Sequence, residues 1–145
     1  MIYFDTSYIV RLYFEDPGFE AVRRLASSDH VCCAEHGQAE TMAAFHRKFR
    51  ERAITARSYR ALLAQYEEDN RSEAIRWLPG GLDALSRVRQ AYRDLPPDIP
   101  LRGADALHLA VAAVSGQPAV FSNDSHLLAA ARYFGLTGEN VIAKQ

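Results

Sequence analysis

The chain has 145 residues, 48% hydrophobic and 24% charged, which fits one folded domain over residues 1–145 and excludes a disordered or fibrous protein. Seventeen basic against eighteen acidic residues leave a formal charge of -1, so any contact with nucleic acid must come from a local patch rather than from the field of the whole molecule. No run approaches the roughly 20 apolar residues that span a bilayer, and Asp5 interrupts the apolar N-terminus with no basic segment or cleavage site after it, so a cytoplasmic protein without membrane contact is expected.

Met1 to Phe4 is a short apolar run ending at Asp5, and an apolar-rich stretch from Tyr8 to Phe14 follows Thr6 and Ser7, which reads as strand, turn, helix. Asp16 before Pro17 predicts a cap and a first helical position, with Phe19, Val22 and Leu25 at helical spacing behind them. His30 to Cys33 is a second strand. Its neighbouring Cys32 and Cys33 point to opposite faces and read as small buried residues, not as a disulfide or a shared metal site. Gln38 to Arg52 is a third helix through Met42, Phe45 and Phe49, and Thr55 caps a long, largely exposed helix whose end, Glu67 to Arg71, is fully polar.

Ala74 to Leu78 predicts a third strand, closed by Pro79, Gly80 and Gly81. The next helix is lined by Leu82, Leu85, Val88 and Tyr92, before Pro96, Pro97 and Pro100 force a loop. The helix from Gly103 to Ser115 is apolar nearly all round and should be buried on more than one side. Ala119 to Ser122 is a strand, Leu127 to Phe134 the last long helix, and Val141 with Ile142 a final short strand. Strands alternating with helices predict an α/β fold with a mostly parallel sheet covered on both faces, because parallel neighbours need a crossover connection.

Ligands of open α/β sheets sit beyond the carboxyl ends of the strands, and Asp5 and Asp124 each follow an apolar strand directly. Glu40 falls in the first turns of the helix after strand two, and Asp105 in the first turn of the buried helix, so both belong to the same edge. Converging carboxylates raise each other's pKa unless a cation neutralises them. Magnesium or manganese is the natural ion, because hard divalent cations take oxygen ligands and share coordination with phosphates. Each acid also has a plain structural reading: Asp5 and Asp124 as helix caps, Glu40 and Asp105 as carboxylates favoured near helix starts. Their joint placement is what favours a site.

The words carrying these acids resemble the PIN-domain nucleases. Met1-Ile-Tyr-Phe-Asp5-Thr6-Ser7 resembles the family's opening, and Ala39-Glu40-Thr41 its second acidic position. Arg102-Gly-Ala-Asp105-Ala-Leu-His108-Leu-Ala110 is similar to the third motif, and Ser122-Asn-Asp124-Ser-His-Leu127-Leu128 to the fourth. Glu35, in a more polar stretch than the family usually carries, competes with Glu40; Glu40 is preferred for its distance from the strand.

The resemblance implies a three-layer α/β/α fold and a Mg2+- or Mn2+-dependent endoribonuclease. In it Asp5, Asp105 and Asp124 hold metal, Glu40 completes the catalytic cluster, and Thr6, Ser7 and Ser122 support the pocket. It further implies likeness to the VapC-type toxins of bacterial toxin-antitoxin pairs, with a structured RNA as substrate, a cognate antitoxin as partner and a homodimer as assembly.

Arg102 is the residue best placed to reach a phosphate, although an ion pair with Asp105 is the other reading. Arg47, Lys48, Arg50, Arg52, Arg57 and Arg60 concentrate positive charge mid-chain, as a phosphate-contacting patch or as solvated helix faces. His36 and Glu40 are four apart, yet the sequence offers no third ligand beside them, which argues against zinc. His108 reads as a satisfied core histidine and His126 as a surface one near the rim.

Rival classes fit less well. An aspartate-nucleophile phosphatase wants an acid where Ser7 stands, and a phospho-receiver domain wants an acidic pair and a lysine that are missing. A PIN-like module that binds RNA or protein without cutting, and a processing nuclease that is not a toxin, remain the alternatives. Tyr8, Leu12 and Phe19 are expected as an exposed apolar surface for a dimer or an antitoxin.

Overall fold

A computed structural model describes residues 1–142. Its frame is a single parallel sheet of β1 (Ile2–Phe4), β2 (Val31–Ala34), β3 (Ile75–Leu78), β4 (Ala119–Phe121) and β5 (Thr137–Glu139), in the order β3-β2-β1-β4-β5. The short strand β1 lies at the centre, in register with β2 through Tyr3↔Cys32 and with β4 through Phe4↔Phe121.

Because side chains alternate along a strand, the sheet feeds two cores. Phe4 and Cys33 face one side, where they pack with Tyr8 and Ile9 of α1 (Thr6–Tyr13) and Val22 of α2 (Phe19–Ala26). Tyr13 then meets Phe45 of α3 (Gly37–Arg50) and Tyr66 of α4 (Ala56–Arg71) edge to face, extending that layer. Tyr3, Cys32 and Ala34 face the other side, against α5 (Gly81–Asp94), α6 (Gly103–Val114) and α7 (Ser125–Ala130). This is the three-layer α/β/α arrangement, and Cys32 and Cys33 do point into opposite layers. Ala106, His108, Leu109, Ala110, Val111 and Ala112 bury α6 on most of its circumference, as its composition demands.

Four expectations are corrected. The last strand is β5 at Thr137–Glu139, not Val141 and Ile142: Gly135 (φ 74) turns the chain, Leu136 N–H donates to Ala131, and Thr137 is thereby set opposite Ala119. Val141 instead donates its N–H to the Tyr8 hydroxyl, and Ile142 packs onto the first layer. Helix α2 begins at Phe19, with Gly18 (φ 86) before it and the Ile142 side chain where a Cβ would sit. The Asp16 carboxylate goes to Lys48 Nζ at 2.7 Å, not to the helix start. The expected helix Leu127–Phe134 is α7 followed by a 3-10 turn, Ala131–Phe134. Lastly, Tyr8 is fully buried, with its hydroxyl donating to Asn140 Oδ1 at 2.7 Å, and so is no part of the exposed apolar surface expected of it, while Leu12 and Phe19 are partly exposed.

Candidate functional site

The fold places the four acids at the carboxyl edge of the sheet, and hydrogen bonds connect their surroundings. Asp5 ends β1 and caps α1, accepting from Tyr8 N–H at 3.2 Å. It is 5% exposed and also accepts from two hydroxyls: Ser7 Oγ donates to Oδ1 at 2.7 Å and Ser122 Oγ to Oδ2 at 2.6 Å. The same hydroxyl oxygens accept backbone N–H groups of the loop after β4, Ser122 Oγ from Asp124 and Ser7 Oγ from Asn123. Burial pushes the Asp5 carboxyl upward, while nearby His108 and these hydrogen bonds oppose the rise.

Asp124 caps α7 through Oδ1, which accepts from His126 and Leu127 N–H, leaving Oδ2 turned to Arg102 Nη2 at 3.2 Å. Asp105 lies in the first turn of α6, with Oδ2 at 2.9 Å from Arg102 Nε. Arg102 therefore spans the two carboxylates from the rim, its own side chain 79% exposed. The sequence allowed either a phosphate contact or an ion pair for this residue; the observed state is a double ion pair.

Glu40 sits in the first turn of α3, half-buried. Its Oε1 accepts from Thr6 Oγ1 at 2.9 Å and lies 2.6 Å from His108 Nε2. Burial alone would raise this carboxyl; the hydrogen bond and charge of His108, with Thr6 and His36, hold it below the usual range. Glu35, the competing acid, is exposed and turned to Gly80 N–H at 3.4 Å.

His108 is 1% exposed, and its Nδ1 lies 2.9 Å from the Tyr3 hydroxyl. The Tyr3 oxygen already accepts Ala34 N–H at 3.1 Å, so its own proton is free for Nδ1, and Nε2 then carries the proton that goes to Glu40. The hydrogen-bond pattern thus assigns a relay Tyr3→His108→Glu40. The expectation of a satisfied core histidine holds only in part, since half of its satisfaction comes from a site carboxylate. His36 is the further correction: His108 is the third group that the sequence did not place beside His36 and Glu40, and one ligating atom from each of the three lies within 4.8 Å of the others. His36 Nε2 is 3.1 Å from the Ala104 carbonyl, which joins the start of α3 to the start of α6. His126 is exposed at the start of α7.

Sequence reasoning missed Tyr3, whose role depends on a partner 105 positions away, and the double pairing of Arg102. Asp105 and Asp124 offer carboxylate oxygens on either side of a guanidinium, a positive group already held between them, and oxygen donors of this kind suit a hard divalent ion. Among the described residues the one group of three ligating atoms within 4.8 Å of one another is that of His36, Glu40 and His108, and Asp5, Asp105 and Asp124 do not join it.

The fold is similar to those of several solved structures. The VapC20 toxin of Mycobacterium tuberculosis, described as cleaving the sarcin-ricin loop, is 21% identical with a TM-score of 0.68, covering 90% of this chain and 95% of that one. FitAcB from Neisseria gonorrhoeae is 18% identical with a TM-score of 0.73, over 97% and 98% of the two chains. VapBC2 from Rickettsia felis, bound to a DNA fragment of its promoter, is 13% identical with a TM-score of 0.68, over 97% and 98%. No curated protein sequence matches the chain. The sequence model of the PIN domain matches residues 2–133, nearly the whole of the fold described above, and the chain therefore belongs to the PIN domain family.

Proposed function

We propose that this protein is a metal-dependent endoribonuclease and the toxin of a toxin-antitoxin pair. What supports the reading is the placement of Asp5 and Asp124 after β1 and β4, and of Glu40 and Asp105 in the first turns of α3 and α6, along one edge of a PIN-domain sheet. In this reading Asp5, Asp105 and Asp124 hold Mg2+ or Mn2+, with Ser7 and Ser122 fixing the orientation of Asp5 through its two oxygens. The bound ion would act as a Lewis acid toward a phosphodiester and lower the pKa of water.

The chain's own part is positioning and proton handling. Glu40, held by Thr6 and His108, orients the attacking water and accepts its proton on the oxygen not committed to them. With a cation held by Asp105 and Asp124, Arg102 would be free to meet a non-bridging phosphate oxygen of the RNA. The likeness to the VapC20 toxin supports a toxin; in this reading it works as a homodimer in the cytoplasm and is restrained by a small antitoxin.

The test is cleavage of total RNA by partner-free protein in Mg2+, Mn2+ or chelator, beside Asp5→Asn and Asp105→Asn variants checked for folding. Metal-dependent cleavage lost in both variants supports the reading; metal-independent cleavage, or full activity in either variant, sinks it.

A further inference from the structure

A groove of about 750 Å³ opens beside Glu40 and runs between α1 and α3, with Thr6, Ser7 and Arg11 on one wall and Glu40, Arg47 and Arg50 on the other. On α3, Glu40, Ala43, Ala44, Arg47 and Arg50 recur at three- and four-residue spacing and so share one face. The two alanines make a low floor there. At 1.5 Å per residue, the arginines stand about 10 and 15 Å beyond Glu40 along the helix axis. The groove thus begins at Glu40, the one proposed site acid in its lining, passes Asp16, which is paired with Lys48, and ends at cations.

Structure sorts the mid-chain positive charge that the sequence left undivided. Lys48 is spent on Asp16, at 2.7 Å, and lies over the Phe14 ring. Arg11 donates to the carbonyls of Pro17 and Ser7 and is fixed in the wall. Arg52, Arg57 and Arg60 do not line the groove. Arg47 and Arg50 are exposed, and among the described residues neither has a carboxylate within ion-pair distance. Two unpaired guanidinium groups aimed along one path from a phosphodiester-cleaving centre match the charge of a polyphosphate backbone.

We propose that this groove is the path of a single RNA strand, with Arg47 and Arg50 gripping phosphates that flank the scissile one. The inference rests on the endoribonuclease reading and adds the course of the substrate. A cleft between two packed helices admits one strand and not a duplex, so the cut falls in an unpaired stretch. Backbone contacts of this kind give affinity and register without reading bases.

The experiment measures binding of a fluorescent, unstructured single-stranded RNA oligonucleotide by anisotropy across a salt series. It is done in the Asp105→Asn background, so that RNA is not consumed, with and without Arg47→Ala/Arg50→Ala. Each phosphate contact on a single strand contributes about 0.7 to the slope of log affinity against log salt, so losing two lowers it by about 1.4 and weakens binding by about tenfold or more. In the otherwise wild-type enzyme the loss falls on KM rather than on kcat. Arg93→Ala, on exposed α5 surface in the other layer, leaves the slope as it is. A slope and a Kd unchanged by the double substitution overturn the proposal, including the case in which a protein segment occupies the groove instead. Absence of RNA cleavage by the wild-type protein would count against the nuclease reading itself, a separate failure from an unaltered salt slope.

Discussion

His108 Nε2 lies 2.6 Å from Glu40 Oε1, between a core histidine on α6 and a half-buried carboxylate on α3. Tyr3 sets the tautomer from behind, so the pair aims a carboxylate and does not need the histidine to touch substrate. Removing such a partner of a site carboxylate costs about 10- to 100-fold in activity where comparable shells have been altered. We therefore expect His108→Ala to lose that much in kcat with KM for RNA little changed. His108→Gln, whose amide can still donate to Glu40, recovers part of it. Steady-state kinetics beside thermal melts separate this from mere destabilisation, which would lower the melting point of both variants without distinguishing their rates.

Arg102 competes with metal for Asp105 and Asp124. Exposed ion pairs contribute only weakly, so Arg102→Ala should tighten Mn2+ binding by no more than roughly three- to tenfold. The same variant should raise KM for RNA. Calorimetric titration with Mn2+ checks the first effect, and weaker metal binding in the variant would show that Arg102 is not a competitor.

Gly37 opens α3 directly under His108. A Cβ there would come within 2.7 Å of Cys33 Sγ and 3.3 Å of His108 Cε1. Gly37→Ala should cost about 1–3 kcal/mol through overpacking and displace the His108 ring from Glu40. Denaturant unfolding and activity measured together check this; a fully stable and fully active variant would mean that the start of α3 yields freely.

Burial raises the Cys32 thiol to about 11 and pushes Cys33 upward as well. At pH 8 roughly one Cys32 in a thousand is then thiolate. Both thiols should resist a disulfide reagent in the native protein and react at once in guanidinium, with Cys32 reactivity rising as pH approaches 11. Rapid native labelling at pH 8 would contradict the burial of β2.

The edge on which the carboxylates lie was legible because each is announced locally: Asp5 follows β1 directly, Asp124 lies in the loop just after β4, and Glu40 and Asp105 sit in the first turns of helices. Of the hydroxyls, only Ser7 is a sequence neighbour of the carboxylate to which it donates; Thr6 reaches Glu40 and Ser122 reaches Asp5 from distant segments, and their expectation came from the resemblance alone. The pairing of Tyr3 and His108 was not legible, since their bond joins opposite ends of the chain and nothing within either segment marks it. The edge strand β5 was hidden by composition, for Thr137-Gly138-Glu139 lacks the apolar content of a strand and is held by its register with β4. Val141 and Ile142 have that content, but Ile142 spends it on packing against the first layer and Val141 stays exposed. Tyr8 was taken for surface because a tyrosine early in a helix suits solvent; here its hydroxyl is used by Asn140 and Val141.

That last contact reaches further than the tail it secures. Asn140 Oδ1 accepts from Tyr8 and from Ile142 N–H, while its Nδ2 faces Asn123 Oδ1 at 3.3 Å, one residue before Asp124. The segment after β5 is therefore a brace laid across the outside of the carboxylate edge, and slack at residue 140 would be passed to the loop that presents Asp124. A partner that grasped or lifted this brace would alter the spacing of the acids without entering the pocket, giving the molecule a handle on its chemistry that is separate from the chemistry itself.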